Sequence, residues 1–421
     1  MNAKTPFPKQ GRPWSEVKSD IATLRDDGIA LSTRNQLMNG INLGEGKLHN
    51  IVQEAYNMYF HGNGVSAGMD PLFAQMQSDL LAWAVDLLNG GTEGLGHFTG
   101  GGSESIFLAI HAAREWARDN LPNAKEPYEI VMPRTGHAAF DKAAHYQGLK
   151  IVRIPAREDF RADVDAMNDA VTANTIMIVG SAPNWGFGRI DPIGDLASVA
   201  ERHGLWMHVD CCVGGYLLPF LERLGEDIPP FDFRHEAVCS ISADLHKHAY
   251  AAKPASTVMY RSKDYQKYHH VGVKISDWQC PPYVTEGTSG SRPAAAVVAA
   301  WAAFSVMGED GYVDLNRRCL EVKKRLVDGI EAIEDFKVLP NQSLLVPFRS
   351  ETLNMLNIYG GLVERGYFPW GTFDPMYVHP SAEMVDPEIV DRFLEELAEI
   401  GKGVREGTIT AAALAAYAAD L

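Results

Sequence analysis

Residues 205–215 read LWMHVDCCVGG, and residues 238–248 read VCSISADLHKH. Each opens on a short apolar run and then breaks into polar and small residues. A buried parallel strand running into a loop at its carboxyl end has this form. Comparable runs stand at Glu129–Met132, Ile151–Ile154, Ile176–Val179 and Thr257–Tyr260. They are interleaved with helical stretches at Ser103–Ala117, Ala138–Tyr146, Val164–Val171 and Ile193–Arg202. Strand and helix in alternation predict crossover units, hence an α/β fold with a mainly parallel sheet and helices on both faces. Ligands in such sheets sit beyond the carboxyl ends of the strands, which singles out Asp210 and Lys247.

Outward from this region the pattern weakens. Trp14–Asp27 and Lys47–Tyr59 read as helices, and Gly62–Asp70 as a loop. Pro71 then opens a helix whose Phe73, Met76, Leu80, Trp83 and Leu87 recur at three-to-four spacing, as a core-facing stripe does. Beyond Gly290 an apolar helix, Ala294–Val306, leads into Gly311–Ile333. Weaker strands follow, then a helix at Pro387–Ile400 and an Ala-rich helix within Gly407–Leu421. The expected division is an N-terminal segment (1–70), a large domain (71–300) and a smaller α+β C-terminal domain (301–421).

The 421 residues carry a formal charge of −16, which disfavours nucleic-acid backbones and anionic lipid as partners. Cys211, Cys212, Cys239, Cys280 and Cys319 form no CxxC pair and no zinc spacing. An odd count with two adjacent is unlike a secreted disulfide framework, so a cytoplasmic location is expected. No stretch reaches the roughly 20 apolar residues of a membrane span, and no metal site is expected.

Three places can hold chemistry. Thr99-Gly100-Gly101-Gly102-Ser103 precedes a helix, and bare glycines at a helix start leave N–H groups and a positive dipole end open to an anion. A flexible connection is the plainer reading. Asp210 closes an apolar strand, where a carboxylate must be paired; it is either structural or aimed at a cofactor's ring nitrogen. Lys247 follows another strand between His246 and His248. Partial desolvation there would lower its pKa and favour the free amine. Anion cup, then Asp, then Lys matches the phosphate, ring nitrogen and aldehyde of pyridoxal 5'-phosphate (PLP).

The segments TGGGSESIFLAIHAARE (99–115), RTGHAAFDKAAHYQGLKIVRIP (134–155), HVDCCVGGYLLPF (208–220), SISADLHKHAYAAKPASTVMYRS (240–262) and SGSRPAAAVVAAWAA (289–303) together resemble the sphingosine-1-phosphate lyase family. That family is a carbon–carbon lyase branch of the group II PLP-dependent decarboxylases. The resemblance implies the type I aminotransferase-like fold and a homodimer with active sites at the subunit interface. It implies that Lys247 carries PLP as a Schiff base, that Asp210 pairs with the pyridine nitrogen and that His137 stacks on the ring. Cys212 stands where relatives have a small residue beneath the ring. Gly102, Ser103, Ser242 and His246 would hold the cofactor, with Gly290 and Ser291 reaching the phosphate from the partner subunit. Lys253 and Asn184 are implied at the substrate end.

Two stretches depart from the family. Gly62–Asp70 replaces an Asn-Pro-Leu-His-Pro-Asp-like segment. Ala182-Pro183-Asn184-Trp185-Gly186-Phe187-Gly188 replaces a Thr-Pro-Gln-Phe-Pro-His-Gly segment. The resemblance favours retro-aldol cleavage of a phosphorylated sphingoid base or similar amino alcohol. The alternatives are amino-acid decarboxylation by the same Lys, Asp and His, then transamination, then a non-catalytic PLP-fold protein.

Overall fold

The computed structural model describes residues 10–26, 37–38, 46–65, 70–279 and 283–410. Part of the Gly62–Asp70 loop, the Ala-rich residues 411–421 and Cys280 lie outside the described residues. Seven strands form the main sheet: β1 (Leu95–Thr99), β2 (Glu129–Pro133), β3 (Lys150–Ile154), β4 (Thr175–Ser181), β5 (Trp206–Asp210), β6 (Val238–Ala243) and β7 (Ser256–Tyr260). Their order is β1-β7-β6-β5-β4-β2-β3. β3, β2, β4, β5 and β6 run parallel, while β7 is antiparallel to both β6 and β1.

Alternation along the strands sends side chains into two separate cores, as a two-residue period requires. Ile130 and Met132 of β2, with Met177 and Val179 of β4, pack under the helices Gly102–Asn120 and Ala139–Gln147. Val131 and Ile178 face the opposite layer, where the helices Pro71–Leu87 and Ile193–His203 lie. A sheet covered on both faces accounts for the near-continuous apolar reading of β4 and β5. The Pro71 helix departs from the expected stripe. Phe73 and Leu80 are buried, but Trp83 is 39% exposed and its ring lies against Trp301 with centroids 6.3 Å apart.

After β7 the hairpin β8 (Val271–Val273) and β9 (Tyr283–Thr285) leads to a long helix, Ala294–Ala332. Its two expected halves meet at Gly308, whose φ of 55° and ψ of −174° break the helical path. The Tyr312 hydroxyl donates to the Ala249 carbonyl at 2.8 Å and ties this helix to the loop after Lys247. β10 (Phe336–Val338), β11 (Phe348–Ser350), β12 (Gly371–Phe373) and β13 (Met376–Val378) form an antiparallel sheet in the order β10-β11-β13-β12. The helix Pro387–Arg405 buries Phe393 and Leu397 in the main core cluster, together with Phe336 and Phe348 of that sheet. Among the described residues no helix is long and apolar enough to cross a membrane.

Candidate active site

The site is built where β4, β5 and β6 end side by side. Register places Asp210, the last residue of β5, between Ser181 of β4 and Ser242 of β6. Asp210 Oδ1 accepts the Cys212 N–H at 3.1 Å and the Ser242 hydroxyl at 3.3 Å, so the carboxylate is fixed at the strand end. Ser242 in turn bonds His208 Nε2 at 3.2 Å, and His208 Nδ1 bonds Ser240 Oγ at 2.8 Å. Burial holds His208 down at about 4, so it is a neutral support behind Asp210.

Lys247 lies in the loop after β6, with its Nζ 2.8 Å from Asp244 Oδ2. Burial alone would lower its pKa, but the Asp244 carboxylate, together with Cys212 and Asp210, outweighs that, and the balance is upward. The expected lowering is thereby corrected: the buried amine has an anionic partner three residues away. Asp244 is itself buried and is held below the usual carboxylate range, because Lys247 and His246 offset the burial that opposes its charge. His246 is oriented by the backbone at Ala255, whose carbonyl lies 2.6 Å from its Nδ1.

His137 precedes the Ala139–Gln147 helix. Its Nδ1 accepts the Ala139 N–H at 3.0 Å, which leaves Nε2 as the protonated nitrogen. His137 and Lys247 share a cavity of about 300 Å³ with Trp185, Trp370, His248 and His379. The glycine-rich turn adjoins it. Gly101 has φ +123°, a conformation open to glycine, and begins the Gly102–Asn120 helix. A Cβ on Gly102 would lie 2.8 Å from the Asp244 carboxylate and 2.9 Å from Cys212 Sγ.

Ser103 and Ser291 line a second cavity, of about 610 Å³, together with Lys142 and Arg292. The loop carrying Gly290 and Ser291 is tied to the glycine turn of its own chain. Glu104 makes the link: it accepts the Gly100 N–H with one oxygen and the Thr288 N–H, at 2.7 Å, with the other. Gly290 packs against the Tyr283 hydroxyl, which a Cβ would meet at 2.7 Å. Neither residue expected at the substrate end lines the Lys247 cavity. The Asn184 amide is tied into its own loop, donating to the Phe160 carbonyl and accepting from the Phe187 N–H, each at 3.0 Å. Its neighbour Trp185 takes the cavity wall. Lys253 lines a third cavity, with Tyr250 and Arg318. Burial lowers its pKa, and the charge on Lys247 lowers it further.

The pyridoxal-dependent decarboxylase conserved domain matches residues 2–351, most of the chain. The chain belongs to the pyridoxal-dependent decarboxylase family. Within it, the chain is 35% identical to the sphingosine-1-phosphate lyase of Arabidopsis thaliana over 88% of its own length and 69% of the plant protein. A probable L-aspartate decarboxylase of Pyrococcus abyssi is 30% identical over 94% of this chain and 99% of its own. The solved sphingosine-1-phosphate lyase of Burkholderia pseudomallei K96243 superposes with a TM-score of 0.90 at 31% identity, covering 96% of this chain and 94% of that one. The chain spans between 53% and 76% of the length of the curated lyases it matches.

Members of this family depend on PLP, and the residues present fit it. Gly102 leaves no room for a side chain beside Asp244, and the buried Asp244 Oδ1 has no hydrogen-bond partner among the described residues. His137, Val213 and Lys247 line one cavity. A flat polar group is what such a seat accepts. Sequence reading did not single out Asp244, Glu104, Trp370 or His379. Asp244 had a usable signal, since it stands three residues before Lys247 at the end of the same strand. Trp370 and His379 flank the short strands β12 and β13, which have no periodicity to mark them.

Proposed function

We propose that the chain is a PLP-dependent carbon–carbon lyase that cleaves a phosphorylated amino alcohol of the sphingoid type into an aldehyde and a phosphorylated amine. The observation that carries this reading is the likeness to the Burkholderia lyase along nearly the whole of both chains, joined to a cavity holding both Lys247 and His137. When bound, PLP supplies a conjugated ring able to take up the electron pair of a bond broken at the amine-bearing carbon.

Lys247 would provide the amine that attaches the cofactor. Asp210, held by Cys212 N–H and Ser242, would pair with its ring nitrogen. His137 would stack on the ring, and the small side chain of Cys212 would leave it room. Ser103, His246 and the N-terminus of the Gly102–Asn120 helix receive the phosphate, with Lys142 and Arg292 adding positive charge nearby. The aromatic wall of Trp185 and Trp370 excludes water from the breaking bond. A homodimer in the cytoplasm, with Gly290 and Ser291 near the subunit boundary, belongs to the same reading, as does the division near residues 70 and 300.

A second reading is amino-acid decarboxylation. It is favoured by the likeness to the Pyrococcus protein, which spans nearly the whole of both chains. Purified PLP-loaded protein offered phosphorylated sphingoid bases and a panel of amino acids separates the two. Aldehyde with phosphoethanolamine supports the lyase. Carbon dioxide from an amino acid, without aldehyde, replaces it with the decarboxylase.

A further inference from the structure

Beyond the roles above, the cavity has a polar wall that they leave unused. His379, Ser381 and Glu383 follow β13 at two-residue spacing, and His379 and Ser381 both line the Lys247 cavity. Behind them Glu383 is buried, and among the described residues the basic side chain within ion-pair distance is His248, whose Nδ1 is 3.7 Å from Oε1. Its two oxygens have separate partners. Oε1 accepts the Ser381 hydroxyl at 3.3 Å, and Oε2 accepts the Tyr250 hydroxyl at 2.9 Å. A continuous path therefore runs from the cavity through Ser381 Oγ to a buried carboxyl.

We propose that Glu383 is the proton reservoir of the Lys247 cavity, exchanging one proton with the substrate through the Ser381 hydroxyl. The inference rests on the lyase reading. In the forward step the hydroxyl proton of the substrate passes to Ser381 Oγ as the Ser381 proton passes to Glu383 Oε1. The O–H electron pair becomes the second bond of the aldehyde C=O. The carbon–carbon bond breaks, and its pair stays with the amine-bearing carbon. In the return step the proton on Glu383 comes back through Ser381 to that carbon, giving the amine product. Protons and electrons balance over the cycle, with no oxidant or reductant.

The surroundings suit a group that both takes and gives. The titratable groups facing Glu383 are Tyr250, His248, Cys319 and Lys253, with Arg318 beyond Cys319. Burial raises Glu383 to about 7, against the pull of Tyr250, Ser381 and Lys253. A pKa near the working pH is what a two-way proton carrier requires. Tyr250 anchors the carboxyl from the loop after Lys247, so the reservoir and the cofactor lysine share one support.

The test compares wild type, Glu383→Gln, Ser381→Ala and Ser381→Thr, all PLP-loaded, for aldehyde release from a phosphorylated sphingoid base across pH 5.5–9. A parallel infrared pH titration uses the cofactor-free proteins. The expected result is a kcat loss of about a hundredfold in Glu383→Gln and Ser381→Ala, with KM little moved. The limb near pH 7 should vanish from the Glu383→Gln profile, and Ser381→Thr, which keeps the hydroxyl, should restore activity. The wild-type infrared difference should contain a carboxyl band titrating near 7 that Glu383→Gln lacks. An unchanged pH profile in Glu383→Gln, or full activity in Ser381→Ala, would overturn the reservoir while leaving the lyase intact. A wild type that releases no aldehyde would overturn both.

Discussion

Lys247 Nζ and Asp244 Oδ2 meet at 2.8 Å in a site where both side chains are largely out of water. The lysine proposed to carry the cofactor is thus held as an ammonium while PLP is away. Removing one partner of a buried pair strands the other, which typically costs about 3–5 kcal/mol. In Asp244→Asn the cofactor-free protein is expected to lose about 3 kcal/mol, read as a lower urea midpoint. The sign with pH follows from the two directions. Asp244 is lowered, so its contribution is present above the unfolded carboxylate value of about 4 and fades as pH falls through the folded value. Lys247 is raised, so its contribution is full below the unfolded value of about 10.4 and fades at higher pH. The gap between variant and wild type should be widest from about pH 5 to 10 and narrow outside that window.

Asp210 is fixed by the Cys212 N–H and Ser242, so Asp210→Asn keeps the shape and removes the charge. Steady-state kinetics should show kcat reduced by about a hundredfold or more with KM within a fewfold. A loss confined to KM would mean that Asp210 serves binding alone.

His208 stays neutral in the fold because burial holds it down at about 4, whereas an unfolded histidine titrates near 6.5. The unfolded chain therefore binds more protons between those values, and stability must fall as pH drops from about 6.5 to 4. One such group contributes a slope of about 1.4 kcal/mol per pH unit. His248 and His269, both held down at about 3, act in the same direction. Urea unfolding at stepped pH should show this decline, and His208→Asn should make it shallower by about one proton.

Gly308 takes φ 55° and ψ −174°, and a Cβ there would meet nothing within 4 Å. The penalty for Gly308→Ala is therefore in the backbone alone, about 1–3 kcal/mol. A lowered urea midpoint at unchanged denaturant slope is the expected outcome.

The sheet was legible because β2, β4, β5 and β6 are apolar runs ended by polar residues, the mark of strands buried on both faces. β1 was not legible. Its Leu95-Gly96-His97-Phe98-Thr99 is short, contains a glycine and lies between glycine-rich turns, and its strand character comes from pairing with β7. The positions of Asp210 and Lys247 followed from the strand-end rule. The pKa direction of Lys247 did not, since it depends on which rotamer brings Asp244 to it. Asn184 was named for its place in a divergent loop, but its two backbone hydrogen bonds turn it inward and present Trp185 instead. His379 stands far along the chain from His137, and Glu383 is 133 residues from its partner Tyr250. Contacts of that sequence separation leave no local pattern to read.

The most direct test of the account is borohydride reduction of the PLP-loaded protein followed by peptide mapping, with Lys247→Ala alongside. The expected result is a pyridoxyl group on Lys247, together with a visible absorbance band that the variant lacks. A pyridoxyl group on Lys253 or another lysine, or a wild type that stays colourless with PLP, would contradict the assignment of Lys247.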